Sequence, residues 1–136
     1  MPRRIAILAL AALATLACRS PEEKLVDRRN ALHRTLDDLY AEYGRTDAAD
    51  ADRAKGDAAA PAAGFVGRFV GRLEKSHFDE TCLAVGRGER PFVLSDRLAA
   101  FVADEGHADR CRRAARIEAE VAALEREVAE RERRPQ

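Results

Sequence analysis

The 136-residue chain has no tryptophan, two tyrosines and a single methionine, and aromatic residues make up only 5% of it. A core must therefore be assembled from Leu, Val and Ala, with five phenylalanines as its bulkiest pieces. Such a light core is marginal for a small domain and makes a covalent staple useful. Net charge is also missing, since 24 basic residues balance 24 acidic ones. That balance removes the electrostatic footprint of a nucleic-acid binder. Lysine is scarce: Lys24, Lys55 and Lys75 are the only ones, and the remaining basic residues are arginine. With so much alanine alongside, this bias reads as base composition before ligand chemistry. There is no P-loop, no dinucleotide fingerprint and no HExxH pair, so no nucleotide or metalloprotease site announces itself by motif.

What is present begins at the N-terminus. Arg3 and Arg4 form a basic head, and Ile5 to Ala17 is aliphatic except for Thr15. A spanning helix needs about 20 apolar residues, so this run is too short to remain an anchor and fits the h-region of an export signal. It closes on Leu16-Ala17-Cys18. In these residues the chain resembles the bacterial lipoprotein class, whose lipobox places small or aliphatic residues before an obligatory cysteine. Thr15 stands where that box prefers Leu. The resemblance covers the first twenty residues or so and implies a processing class, not a fold.

It implies that residues 1–17 are cleaved and that the Cys18 sulfur carries diacylglycerol, its new amino group also being acylated with a chain such as palmitate. Several acyl chains, at about 0.8 kcal/mol per buried methylene, hold effectively permanently. Arg19 follows the cysteine, where Asp is associated with inner-membrane retention in enteric lipoproteins. The expectation is an envelope protein on the outer membrane, facing the periplasm. Arg3 and Arg4 leave with the signal, so 24 basic residues fall to 22 against 24 acidic, a net charge of −2. With Cys18 lipidated, the thiols left are Cys82 and Cys111, in a compartment that oxidises thiols, and a disulfide between them is expected.

The fold expected is all-α, a small bundle of about four helices. Ser20-Pro21-Glu22-Glu23 starts a helix with an N-cap, Pro at N1 and acids at the positive end of the dipole. Leu25, Leu32, Leu36, Leu39 and Tyr43 draw one apolar stripe along it, and Gly44 is expected to end it. Residues 18–43 are thus anchor and first helix. Residues 44–64, rich in Ala, Asp and Gly and empty of Leu, Ile, Val and aromatics, read as a flexible linker. The helical region 65–136 opens on FVGRFVGR, whose apolar residues fit both a helix and a strand period. It is read as helix because the pattern continues through Leu73-Glu74-Lys75. Arg68 and Arg72 exclude a membrane dimer motif there. Ser95-Asp96 caps a helix with Leu98, Phe101 and Val102 on one face, expected to close at Gly106. From about His107 a long charged helix carries Ala114, Ile117, Val121, Leu124 and Val128 in a coiled-coil-like seam, with Asp109/Arg113 and Glu127/Arg131 as i, i+4 pairs.

Glu118, Glu120, Glu125 and Glu127 flank that seam, so self-pairing sets acid against acid and a homodimer through it is disfavoured. Arg28, Arg29 and His33 make the first helix the better mate. For chemistry, Ser76-His77 are neighbours in the chain, which does not supply the spatial hydrogen bond that activation needs, and Asp37-Asp38 and Asp79-Glu80 read as solvated helix surface or turns, so no catalytic residue is assigned. His77, Cys82, His107 and Cys111 are four soft ligands that could hold zinc, yet their spacing matches no C-x2-C or H-x3-5-H pattern. The disulfide reading outweighs the metal one, and no cofactor is expected beyond the lipid on Cys18. The functional expectation is a non-catalytic, membrane-anchored module that engages an envelope protein. The alternative is a small periplasmic metal-binding or thiol-redox protein using Cys82 and Cys111 with His77 and His107.

Overall fold

The computed structural model describes residues 19–53 and 65–135, with side chains described except at 47–53 and 65–70. The expectations for the signal segment and Cys18, and most of the linker, lie outside the described residues. Those residues form four helices and no strand: α1 Pro21–Arg53, α2 Phe65–Gly86, α3 Asp96–Ala103 and α4 Glu105–Arg133. The all-α expectation holds, and FVGRFVGR opens a helix.

α1 begins as the sequence indicates. Ser20 Oγ accepts from the Glu23 amide at 3.2 Å, and Glu22 and Glu23 occupy the first turn. Its end is a correction. The helix passes through Gly44 and runs to Arg53. A single exposed glycine costs a helix only about 1 kcal/mol relative to Ala, and the Ala-rich stretch after it favours continuation. A Cβ at Gly44 would touch nothing, so the helix meets no obstacle there.

α1 and α4 run antiparallel, as their ion pairs show: Glu22 meets Arg131, Arg28 meets Glu120, and Glu42 meets Arg110. Leu25, Ile117 and Val121 are buried between them, with Leu32, Leu124 and Val128 packed alongside. The seam of α4 is therefore covered by α1, and Arg28 and Arg29 reach Glu120 and Glu125 at 2.8 Å each. His33 is exposed and takes no part. The expected pairs within α4 give way to others: Asp109 binds Arg112, and Arg131 reaches Glu22 across the seam at 3.6 Å.

The larger core lies further along, where α1, α2, α3 and α4 meet. Leu36, Leu39, Phe78, Leu98, Phe101 and Val102 fill it around the two cysteines. Phe78 and Leu39 are essentially solvent-free. Tyr40, Tyr43, Phe78 and Phe101 form an edge-to-face and tilted ring cluster with centroids 5.3 to 6.3 Å apart. Few aromatics thus do the work of a larger apolar set, because each buries a large area and such pairs add about 0.5–1.5 kcal/mol.

Two glycines at the end of α2 have separate roles. Gly86 lies against the α4 backbone, where a Cβ would come within 2.8 Å of both the Cys111 carbonyl carbon and Ala115 Cβ. Gly88 adopts φ 78°, and the amides of Gly88 and Glu89 return to the carbonyls of Val85 and Ala84, a Schellman closure. Gly106, expected as a stop, lies inside α4. The break falls at Asp104, whose extended backbone ends α3 and whose carboxylate accepts from the His107 amide at 3.2 Å to start α4. No helix among the described residues is long and apolar enough to cross a membrane.

Candidate functional site

Cys82 on α2 and Cys111 on α4 are bonded, with Cα atoms 5.1 Å apart. The close approach allowed by Gly86 brings the end of α2 onto the start of α4, which is what this pairing required. Both cysteines are fully buried. The bond is a structural cross-link within the main core.

The histidines do not join it. His77 Nε2 accepts from the Leu94 amide at 3.4 Å, tying the loop after α2 back onto that helix. His107 stacks on Phe101, ring centroids 3.7 Å apart, with Nδ1 2.9 Å from the Phe101 carbonyl. A carbonyl only accepts, so that nitrogen carries a proton. Its Nε2 lies 3.4 Å from a Glu42 carboxylate oxygen. The four soft ligands weighed for zinc are thus divided between a disulfide and two separate hydrogen-bonding networks. Among the described residues no three His, Cys, Asp or Glu side chains are placed to hold a metal ion.

Glu42 is the hub that sequence reasoning missed. Arg110 donates to its carboxylate, and with His107 beside it the Glu42 pKa is held below the ordinary glutamate value despite the opposing effect of desolvation. The network fastens α1 to the start of α4. Lys75 forms a second one. Its side chain is 28% exposed, and the ammonium contacts Asp79 at 2.6 Å and Asp37 at 3.0 Å and lies 5.5 Å from the Tyr40 ring centroid. Burial alone would lower its pKa, but the two carboxylates outweigh burial and raise it. Asp79 is consequently half-buried and paired, not solvated surface as expected, and Asp37 is exposed but paired. Asp38, Glu80 and Ser76 are exposed.

A groove of about 490 Å³ opens between α1, α2 and α3, lined by Tyr43, Leu73, His77, Leu94, Arg97 and Leu98. Arg97 lies over the Tyr43 ring at 3.9 Å and donates to the Tyr43 carbonyl. Leu73 and Leu94 are 56% and 74% exposed, and nearby in sequence Phe92 is 83% exposed. Phe92 and Leu94 lie in the loop that joins α2 to α3. Searched against protein-family models, curated proteins and solved structures, the chain has no significant match.

Proposed function

We propose that this chain is a lipid-anchored protein of the bacterial envelope, held at the outer membrane by acyl chains on Cys18, and that its helical domain is a non-catalytic interaction module. The observation that carries the reading is the Arg head and thirteen-residue apolar run closing on Leu16-Ala17-Cys18. The cap of α1 at Ser20 is consistent with it, because with Cys18 acylated a helix capped two residues later would hold the bundle at the bilayer surface. A buried disulfide suits an oxidising compartment. The metal or thiol-redox alternative has no observation in its favour: its two sulfurs are bonded to each other and screened from solvent, so neither is presented to a ligand or partner thiol.

The test is incorporation of radiolabelled palmitate in cells expressing the wild-type chain or Cys18→Ala. Label in the wild type, and an unlipidated, uncleaved precursor in the variant, is the expected result. Equal labelling of both overturns the anchor at Cys18.

A further inference from the structure

The face of the α1–α4 pair turned away from α2 carries a second groove. Asp37 marks the side of α1 that meets α2, through Lys75. The other side offers Lys24, Arg28, Ala31 and Arg34 at helical spacing, opposite Arg113 and Glu120 of α4. Two depressions, of about 950 and 320 Å³, meet at Ala31 and Arg34 and are lined by α1 and α4 with Arg19. Together they run from Lys24 to Asp38, about 21 Å at 1.5 Å per residue.

Basic residues outnumber acidic ones along this groove by six to three, in a chain whose formal net charge is zero. Arg19, Arg28 and Arg110 are neutralised by Asp27, Glu120 and Glu42. Lys24, Arg34 and Arg113 have no ion-pair partner among the described residues, and Asp38 is the rim acid that faces them in the same condition. The floor is apolar and low, made of Ala31, Ala123 and Leu124. A low apolar floor with cationic rims fits a helix that brings an apolar ridge between the rims and carboxylates onto them. The interleaved acids Asp27, Asp38 and Glu120 set the spacing and disfavour a uniform polyanion such as nucleic acid, whose phosphates would meet them in turn.

We infer that the α1–α4 groove is the docking surface for an amphipathic, acid-flanked helix of a partner protein, with Arg34 and Arg113 as its principal charge contacts. The inference rests on the interaction-module reading but not on lipidation, so palmitate labelling and peptide binding fail independently.

The probe is a fluorescein-labelled 21-residue peptide of three LEALEKE heptads, titrated by anisotropy into the purified full chain at 50 and 300 mM NaCl. Its counterpart with the acids and bases exchanged is the control. Binding of the acidic peptide, weakening at the higher salt as exposed charges are screened, is expected, with a loss on the order of tenfold in Arg34→Glu/Arg113→Glu. Both arginines are exposed, so the variant should melt as wild type, which keeps the loss interpretable. A Phe92→Ser/Leu94→Ser variant should bind normally. Unchanged binding by the arginine variant, or loss only in the Phe92/Leu94 variant, overturns the assignment. So does preference for the basic peptide, for a 20-nucleotide single strand or for anionic lipid vesicles.

Discussion

Replacing Gly86 with alanine should destabilise the fold, although alanine is the better helix former. In an open helical position the exchange gains roughly 0.5–1 kcal/mol. At Gly86 the new methyl would sit 2.7 Å from the Cys111 carbonyl carbon and 2.8 Å from Ala115 Cβ. Ordinary van der Waals contact begins near 3.4 Å, so α2 and α4 must separate by well over half an ångström. The obstruction is backbone, which has no rotamer by which to yield, and the disulfide at the same crossing resists the separation. Overpacking of this kind costs about 1–3 kcal/mol, and a backbone collision belongs at the upper end. The net expectation is a loss of about 2 kcal/mol, a fall in Tm of roughly 8 °C for a chain of this size. Gly44→Ala and Gly71→Ala are the controls, because a Cβ at either meets nothing within 4 Å, and each should hold or raise Tm. Thermal melts followed by helical circular dichroism measure all three. If Gly86→Ala melts at or above wild type, the close crossing of α2 and α4 is wrong.

Two further outcomes follow from the cross-link and the Glu42 network. The double variant Cys82→Ala/Cys111→Ala loses a loop constraint spanning 29 residues, worth about 3–4 kcal/mol, and should melt more than 10 °C lower, whereas the native bond should resist mild reductant until urea exposes it. Glu42 has a folded pKa below its unfolded value of 4.5, so its contribution is present above that pH and is lost as pH falls through the folded value. Glu42→Gln should therefore lower the urea midpoint at pH 7 and match wild type more closely at pH 3, and an equal deficit at both pH values would refute the linkage.

Much of the fold was legible because its determinants are local or strongly patterned. Ser20 and Ser95 cap the helices they precede, each accepting from an amide three residues on. The leucine stripe and the flanking acids of α4 pointed to the α1–α4 pairing and to the contacts of Arg28 and Arg29. Two helix ends were misread, and for one reason. Glycine stops a helix when the chain needs positive φ to turn back, as at Gly88. Gly44 and Gly106 occupy ordinary helical positions, and nothing in their immediate sequence says so. The candidate sites were harder still. Lys75 with Asp37 and Asp79, and His107 with Glu42 and Phe101, join residues from different helices, and side-chain burial depends on crossings that periodicity does not encode.

The charges of α4 act through selection more than through energy. Glu120 and Glu125 meet Arg28 and Arg29 of α1, while Glu118 meets Arg87 at the end of α2. All these side chains are a third or more exposed, so each pair contributes at most about 1 kcal/mol. Exchanging α1 for a second α4 would remove the two attractions that Arg28 and Arg29 supply and place carboxylates against one another, a penalty of similar size at each of those contacts. The difference between right and wrong partners is thus about twice what any attraction supplies. It is summed over a seam whose apolar residues, Ile117 and Val121, would accept any matching stripe. Leucines make the α1–α4 interface stable, and arginines make it specific. A second copy seeking this seam would have to displace α1 first, which leaves the basic groove on the outer face as the part of the pair still open to another protein.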